Sequence, residues 1–264
     1  MQPDLLAERD GGVLVLTMNR PESLNALGGN MMWDMVEALG KAAVDPEIGC
    51  VVLTGAGRGF SAGGDMKARA TGAKPPPATP EEGADELRSR MECSRLLHEM
   101  PKPTIAMLNG VAAGAGMSLA LACDMRIGGA SARMTTAFAN MGFSGDFGGH
   151  YFLARLVGFA KARELYFTSA KLDAVALEKL GLINRLVPDE ALREETMMLA
   201  RQLGNGPRVA WRYMKRNMKI AEEGTLADAL DAEAIGMMRT RETEDHKEAL
   251  RAFLEKRPPA FKGR

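Results

Sequence analysis

Two glycine-rich turns carry the residues best suited to chemistry. The apolar run Cys50-Val51-Val52-Leu53-Thr54 leads to Phe60-Ser61-Ala62-Gly63-Gly64-Asp65, and Thr104-Ile105-Ala106-Met107-Leu108 leads to Asn109-Gly110-Val111-Ala112-Ala113-Gly114-Ala115-Gly116. Small residues let a chain turn sharply out of a strand into a helix, and the N–H groups left without helical partners point into the turn. There they can hold negative charge as it develops on a reacting oxygen. Two such turns side by side would clamp one oxyanion.

The surrounding pattern predicts the elements that position them. Val13-Leu14-Val15-Leu16-Thr17-Met18 reads as an early strand, and residues 30–44 carry apolar side chains at helical spacing before the stop at Asp45-Pro46. Residues 117–123 continue the second turn as an apolar helix, and Asp124-Met125-Arg126-Ile127-Gly128 reads as another short strand. Strands alternating with helices predict an α/β fold. Residues 71–83, with Lys74-Pro75-Pro76-Pro77 and Pro80, are expected to be irregular, a mobile flap beside the first turn. From about Gly158 the pattern is almost wholly helical, with breaks near Gly181, Val187-Pro188, Gly204-Asn205-Gly206-Pro207 and Gly224. No fixed-period repeat is present, which argues against a solenoid or propeller.

A chain of 264 residues, 46% of them apolar, can bury one large α/β core. Lys and Arg (34) balance Asp and Glu (34), so there is no global basic field to hold nucleic acid, and a small-molecule substrate is expected. The three cysteines, Cys50, Cys93 and Cys123, lie in apolar surroundings without CxxC spacing, which argues against disulfides and zinc and points to a reducing cytoplasm. No apolar run approaches a membrane span, and Met1-Gln2-Pro3-Asp4 does not begin a basic-then-apolar leader, so an untargeted protein with no membrane partner is expected. The nineteen methionines fit an adaptable apolar pocket better than a metal site, and no His, Cys or acid cluster has metal-ligand spacing.

Two familiar motifs fit less well. Gly114-Ala115-Gly116-Met117-Ser118-Leu119 begins like a dinucleotide fingerprint, but Leu119 replaces the last glycine and no acidic residue follows at the required distance. Gly116-Met117-Ser118-Leu119-Ala120 is one residue from a nucleophile elbow, yet Ser118 falls inside the first helical turn rather than at its apex.

Together with the turns, Asn19-Arg20-Pro21-Glu22-Ser23-Leu24-Asn25-Ala26-Leu27, Lys102-Pro103-Thr104-Ile105-Ala106-Met107-Leu108-Asn109-Gly110 and Leu156-Val157-Gly158 with Ala160-Lys161-Ala162 make the chain resemble the crotonase, or enoyl-CoA hydratase/isomerase, superfamily from about Val13 to Phe261. The resemblance implies a spiral of ββα units over residues 1–200 and a helical C-terminal region, 201–264, that makes trimers or dimers of trimers. It implies a coenzyme A thioester as substrate, with no separate cofactor. The two oxyanion donors map onto the amides of Gly64 and Ala115. Contacts to the substrate map onto Ser23, Ala26, Ser61, Ala62, Asp65, Met66, Lys67 and Gly114, with Phe253 and Lys256 completing the CoA site, often across a subunit interface. Glu22 stands where many members carry Lys, and an acidic side chain does not pair with phosphate.

Hydration in the family uses two glutamates, and those positions hold Ser118 and Phe138 here. Serine without an activator is a poor base and phenylalanine moves no proton. Asp146, in Phe143-Ser144-Gly145-Asp146-Phe147-Gly148-Gly149-His150, occupies the place where isomerase-type members carry an acid. The resemblance therefore implies a double-bond isomerase in which Asp146 shuttles the proton and Phe138 keeps the pocket dry. Hydration is the runner-up, and a silent acyl-CoA-binding protein the third reading. Asp146 as a mere cap of a helix over 147–156 is the structural alternative. His150 is placed to relay with Asp146 or to sit on a helix surface, and His98 and His246 read as solvated. The basic residues Arg208, Arg212, Lys215, Arg216 and Lys219 form a helical face that could meet RNA, or be neutralised by Glu222, Glu223, Asp228, Asp231 and Glu233 of the next helix.

Overall fold

The computed structural model describes residues 2–72 and 77–264. In chain order the elements are β1 (Leu5–Asp10), β2 (Val13–Met18), α1 (Met31–Val44), β3 (Cys50–Gly55), β4 (Gly59–Ser61), α2 (Met66–Ala70), α3 (Pro80–Arg90), α4 (Glu92–Glu99), β5 (Thr104–Leu108), β6 (Val111–Ala113), α5 (Ala115–Ala122), β7 (Met125–Gly129), β8 (Arg133–Thr135), α6 (Gly149–Thr168), β9 (Leu172–Asp173), α7 (Ala174–Lys179), β10 (Arg185–Val187), α8 (Leu192–Gly204), α9 (Arg208–Glu223), α10 (Leu226–Arg241) and α11 (Glu244–Glu255).

Successive turns of the chain feed two sheets. β3 and β4, β5 and β6, and β7 and β8 each give their first strand to a large sheet, ordered β1-β2-β3-β5-β7-β10, and their second to a small one, ordered β4-β6-β8-β9. Helices close each turn, so the path is a spiral of ββα units. Pairing is parallel apart from β1 with β2 and β8 with β9.

Both faces of the large sheet are covered, which is why its strands read as unbroken apolar runs. Alternate residues diverge: Leu16, Val51, Leu53, Ala106 and Leu108 pack with α1, α4 and α5. Val13, Val15, Cys50, Val52, Ile105, Met107 and Ile127 pack against Leu192, Met197 and Ala200 of α8. The core therefore extends into α8.

Several expectations change. β1 has no counterpart in the sequence pattern, because its Leu-Leu-Ala-Glu-Arg-Asp lacks alternation and only Leu5 is buried at this sheet edge. The stretch after Gly158 is almost wholly helical, as expected, and adds two strands too short to show a period, β9 and β10, the latter pairing beside β7. Gly158 itself, at φ 77° and ψ 156°, breaks α6 into two. Within the proposed flap, residues 73–76 lie outside the described residues, while Pro80 to Gly83 is the first turn of α3. Pro80 at its start lacks an N–H that would go unused anyway, and the Thr79 hydroxyl accepts from Glu82 N at 3.1 Å.

His98 is not solvated: its side chain is 22% exposed, edge-on to Phe152 and Tyr151, with Nε2 3.5 Å from a Glu222 oxygen. His246 is half-buried in a groove lined also by α9, α10 and Phe261. Three basic residues of α9 are held by other elements, while Arg212 and Arg216 are exposed. Lys215 Nζ lies 2.9 Å from the Asp124 carboxylate, Lys219 meets Glu99, and Arg208 donates to the Lys262 carbonyl, so the ion pairs of Lys215 and Lys219 are with the spiral core rather than with α10. α10 packs on α9, and the chain end folds back so that Lys262 N and Gly263 N donate to the buried Asp245 carboxylate.

Candidate active site

The two glycine turns meet. Gly63, at φ 82°, lies so close to the second turn that a Cβ there would stand 2.5 Å from the Ala113 carbonyl and 3.2 Å from the Ala115 nitrogen. A Cβ on Gly116 would collide with Ser61 in return. Glycine is required at both points because backbone packs on backbone. The result places two amide groups, Gly64 N–H and Ala115 N–H, on one cavity, and neither donates to a protein acceptor among the described residues. Ala115 opens α5, where the first N–H groups have no helical partner, so the helix dipole adds to its donor strength.

The segment before α1 braces the first turn. Asn25 is fully buried, and its side-chain amide donates to the carbonyls of Ala56 (2.9 Å) and Gly59 (2.8 Å) while its oxygen accepts from Arg20 N (2.9 Å). Leu27 N donates to Gly63 O at 2.7 Å, and Ala62 N to Leu24 O at 2.8 Å. Arg20 bridges this segment to the turn, donating to the Ala26 carbonyl and pairing at 2.9 Å with Asp65. Asp65 also caps α2 through Ala68 N, and these bonds hold its carboxyl below the usual range.

The cavity encloses about 230 Å³. Of the expected substrate-binding residues it is lined by Ala62, Met66, Gly114 and Phe138, together with Gly64, Ala115 and Asp146. Ser61 is fully buried and its hydroxyl donates to Asn25 O at 2.8 Å, so its side chain supports the turn. Ser23 donates to Arg20 O, and Ala26 is buried beneath the same segment. Lys67 is exposed on α2, and Phe253 and Lys256 are exposed at the end of α11. None of the three lines this cavity.

Asp146 is not a helix cap. Phe147 and Gly148 both adopt left-handed conformations (φ 51° and 75°), which delays α6 until Gly149, and the helix has no side-chain cap. The carboxylate is thereby released into the cavity, where Oδ1 is buried and unpartnered among the described residues. Burial pushes its pKa up to about 6, partly opposed by the Arg69 guanidinium. That is a base poised near neutrality.

Ser118 is buried in α5, its hydroxyl 3.3 Å from Gly114 O and pressed between Gly149 and the helix. His150 forms no bond with Asp146. Its ring stacks on Tyr166 at 3.9 Å between centroids, Tyr166 lies parallel to Phe138 at 6.0 Å, and burial lowers the imidazole pKa. Sequence reasoning misses Arg69, Leu87, Met141 and Phe143 as cavity residues. Arg69 has a signal it could use, lying one helical turn after the Asp65–Lys67 stretch. Tyr166, beyond the resemblance motifs, has no local signal.

Among the described residues no helix is long and apolar enough to cross a membrane. The sequence profile of the enoyl-CoA hydratase/isomerase family matches residues 8–264. A 1,2-epoxyphenylacetyl-CoA isomerase of Escherichia coli is 37% identical over all of both chains, and a 2,3-dehydroadipyl-CoA hydratase of the same species is 33% identical over 99% of each. Among solved structures, a putative enoyl-CoA hydratase of Streptomyces coelicolor superposes with a TM-score of 0.92 at 35% identity, covering 99% of this chain and 95% of its own. Two turns locked together by glycine, an unpartnered acid and a profile spanning nearly the whole chain have one account: this protein belongs to the enoyl-CoA hydratase/isomerase family.

Proposed function

We propose that the protein shifts a double bond in an enoyl-CoA thioester, using Asp146 as its one proton carrier. The observation that carries this reading is that, among the described residues, the cavity holds one carboxylate, unpartnered at Oδ1 and with its pKa raised to about 6, beside two backbone amides that donate to no protein acceptor. The thioester oxygen sits between Gly64 N–H and Ala115 N–H. Asp146 takes a proton from the α-carbon of a 3-enoyl group, and the C–H electron pair moves into a dienolate whose negative charge rests on that oxygen. Fixed donors favour this charge more than the neutral carbonyl, so they lower the barrier. The protonated Asp146 then returns the proton to the γ-carbon, the dienolate collapses, and a 2-enoyl thioester remains. The proton count closes without water or a further cofactor.

Hydration in the family uses two acid–base groups, and their positions here hold Phe138, in the cavity wall, and Ser118, buried in α5 behind it. The three buried, free cysteines fit a reducing, cytoplasmic setting. Leu226, Leu230, Leu250, Phe253 and Leu254, all more than half exposed on α10 and α11, support self-assembly through the helical region, as a trimer or a dimer of trimers. Incubation with 3-enoyl-CoA in heavy water tests the reaction: isobaric conversion, or deuterium exchange at the α or γ carbon, lost in Asp146→Asn, supports it. Addition of water would establish a hydratase instead, and tight binding without turnover a silent acyl-CoA carrier.

A further inference from the structure

The cavity holds one charge that the proton shuttle does not use. Arg69, on the face of α2 that looks across to Asp146, is among the described residues the only cationic side chain in a wall otherwise made, Asp146 apart, of Ala, Gly, Met, Leu, Phe and Ser. Among the described residues no carboxylate stands within ion-pair distance of its guanidinium, which lies 5.4 Å over the Phe143 ring. Asp146 acts on it only at longer range. Arg69 is an exposed residue that also lines the cavity, so its guanidinium, with no carboxylate partner of its own, is placed to meet an anion brought by the ligand.

Two anions come with an acyl-CoA: the phosphates of the carrier and any carboxylate on the acyl group. α2 separates them. Lys67, two residues earlier, is about 200° away around the helix and does not line the cavity, whereas Arg69 lines it together with Phe143, Met141 and Asp146. We propose that Arg69 is a specificity residue that pairs with a carboxylate at the far end of the acyl chain, so that the preferred substrates are half-thioesters of dicarboxylic acids. This rests on the reading that the cavity takes the acyl group.

Calorimetric titration with two unreactive six-carbon probes, adipoyl-CoA and hexanoyl-CoA, reads the preference without turnover. The native protein binds adipoyl-CoA about tenfold more tightly, as one partly exposed charge-assisted pair allows. Arg69→Met binds both alike, and Arg69→Lys, which keeps the charge, retains part of the preference. Equal affinities in the native protein overturn the proposal while leaving the double-bond shift intact. So does an Arg69→Met variant weakened equally toward adipoyl-CoA, hexanoyl-CoA and free CoA, because Arg69 would then serve a phosphate. Failure of both acyl probes to bind better than free CoA overturns the acyl-cavity reading and this inference with it.

Discussion

Gly63 and Ala115 belong to turns about fifty residues apart in the chain, yet a Cβ on Gly63 would stand 3.2 Å from the Ala115 nitrogen. The spacing of the two amides follows from this contact, so the geometry of the amide pair depends on a residue that supplies no donor itself.

Gly63→Ala tests that dependence. The new methyl meets the Ala113 carbonyl and must adopt φ 82°, which costs about 2–4 kcal/mol of stability. If the amides separate, kcat/KM falls about 10²-fold, the order seen on losing one oxyanion donor. Urea unfolding and steady-state kinetics measure the two effects separately.

Asp146 links activity and stability in opposite senses. With its pKa near 6 rather than the ordinary 3.8, the native state binds this proton more tightly than the unfolded chain, so its contribution to stability falls as pH rises from about 4 through 6. Asp146→Asn is therefore expected to be more stable than the native protein at pH 7.5, on the order of 1–2 kcal/mol, with the difference gone near about pH 3.5. In the native enzyme kcat/KM should drop about tenfold per unit below pH 6, as the base becomes protonated.

Ser118→Ala should keep the proposed double-bond shift within about threefold and change stability by less than about 1 kcal/mol, because its hydroxyl makes one long bond back to Gly114 O. A loss of two orders of magnitude would place the serine in the chemistry and remove the single-acid mechanism.

Asn25→Ala removes three bonds from a fully buried amide and strands the carbonyls of Ala56 and Gly59. A loss of about 3 kcal/mol is expected. The measurement is a denaturant midpoint with an unchanged slope.

The α/β class, the two glycine turns and the helix that follows the second are all legible in the amino-acid order. These are local properties: an apolar run, a small-residue turn and a helical period are written within a dozen residues. The family motifs, each a short continuous stretch, likewise point to Gly64, Ala115 and Asp146. What Asp146 faces is a property of the folded chain. Left-handed Phe147 and Gly148 exclude the alternative that Asp146 caps the following helix and leave its carboxylate facing the cavity, whose burial raises its pKa. Folding also recruits Arg69 and Phe143 to the same wall, draws basic residues of α9 onto Asp124 and Glu99, and buries Ser61 under Asn25. Those relationships join segments far apart in the chain, and no local pattern encodes which side chain will lack a partner once the spiral has closed.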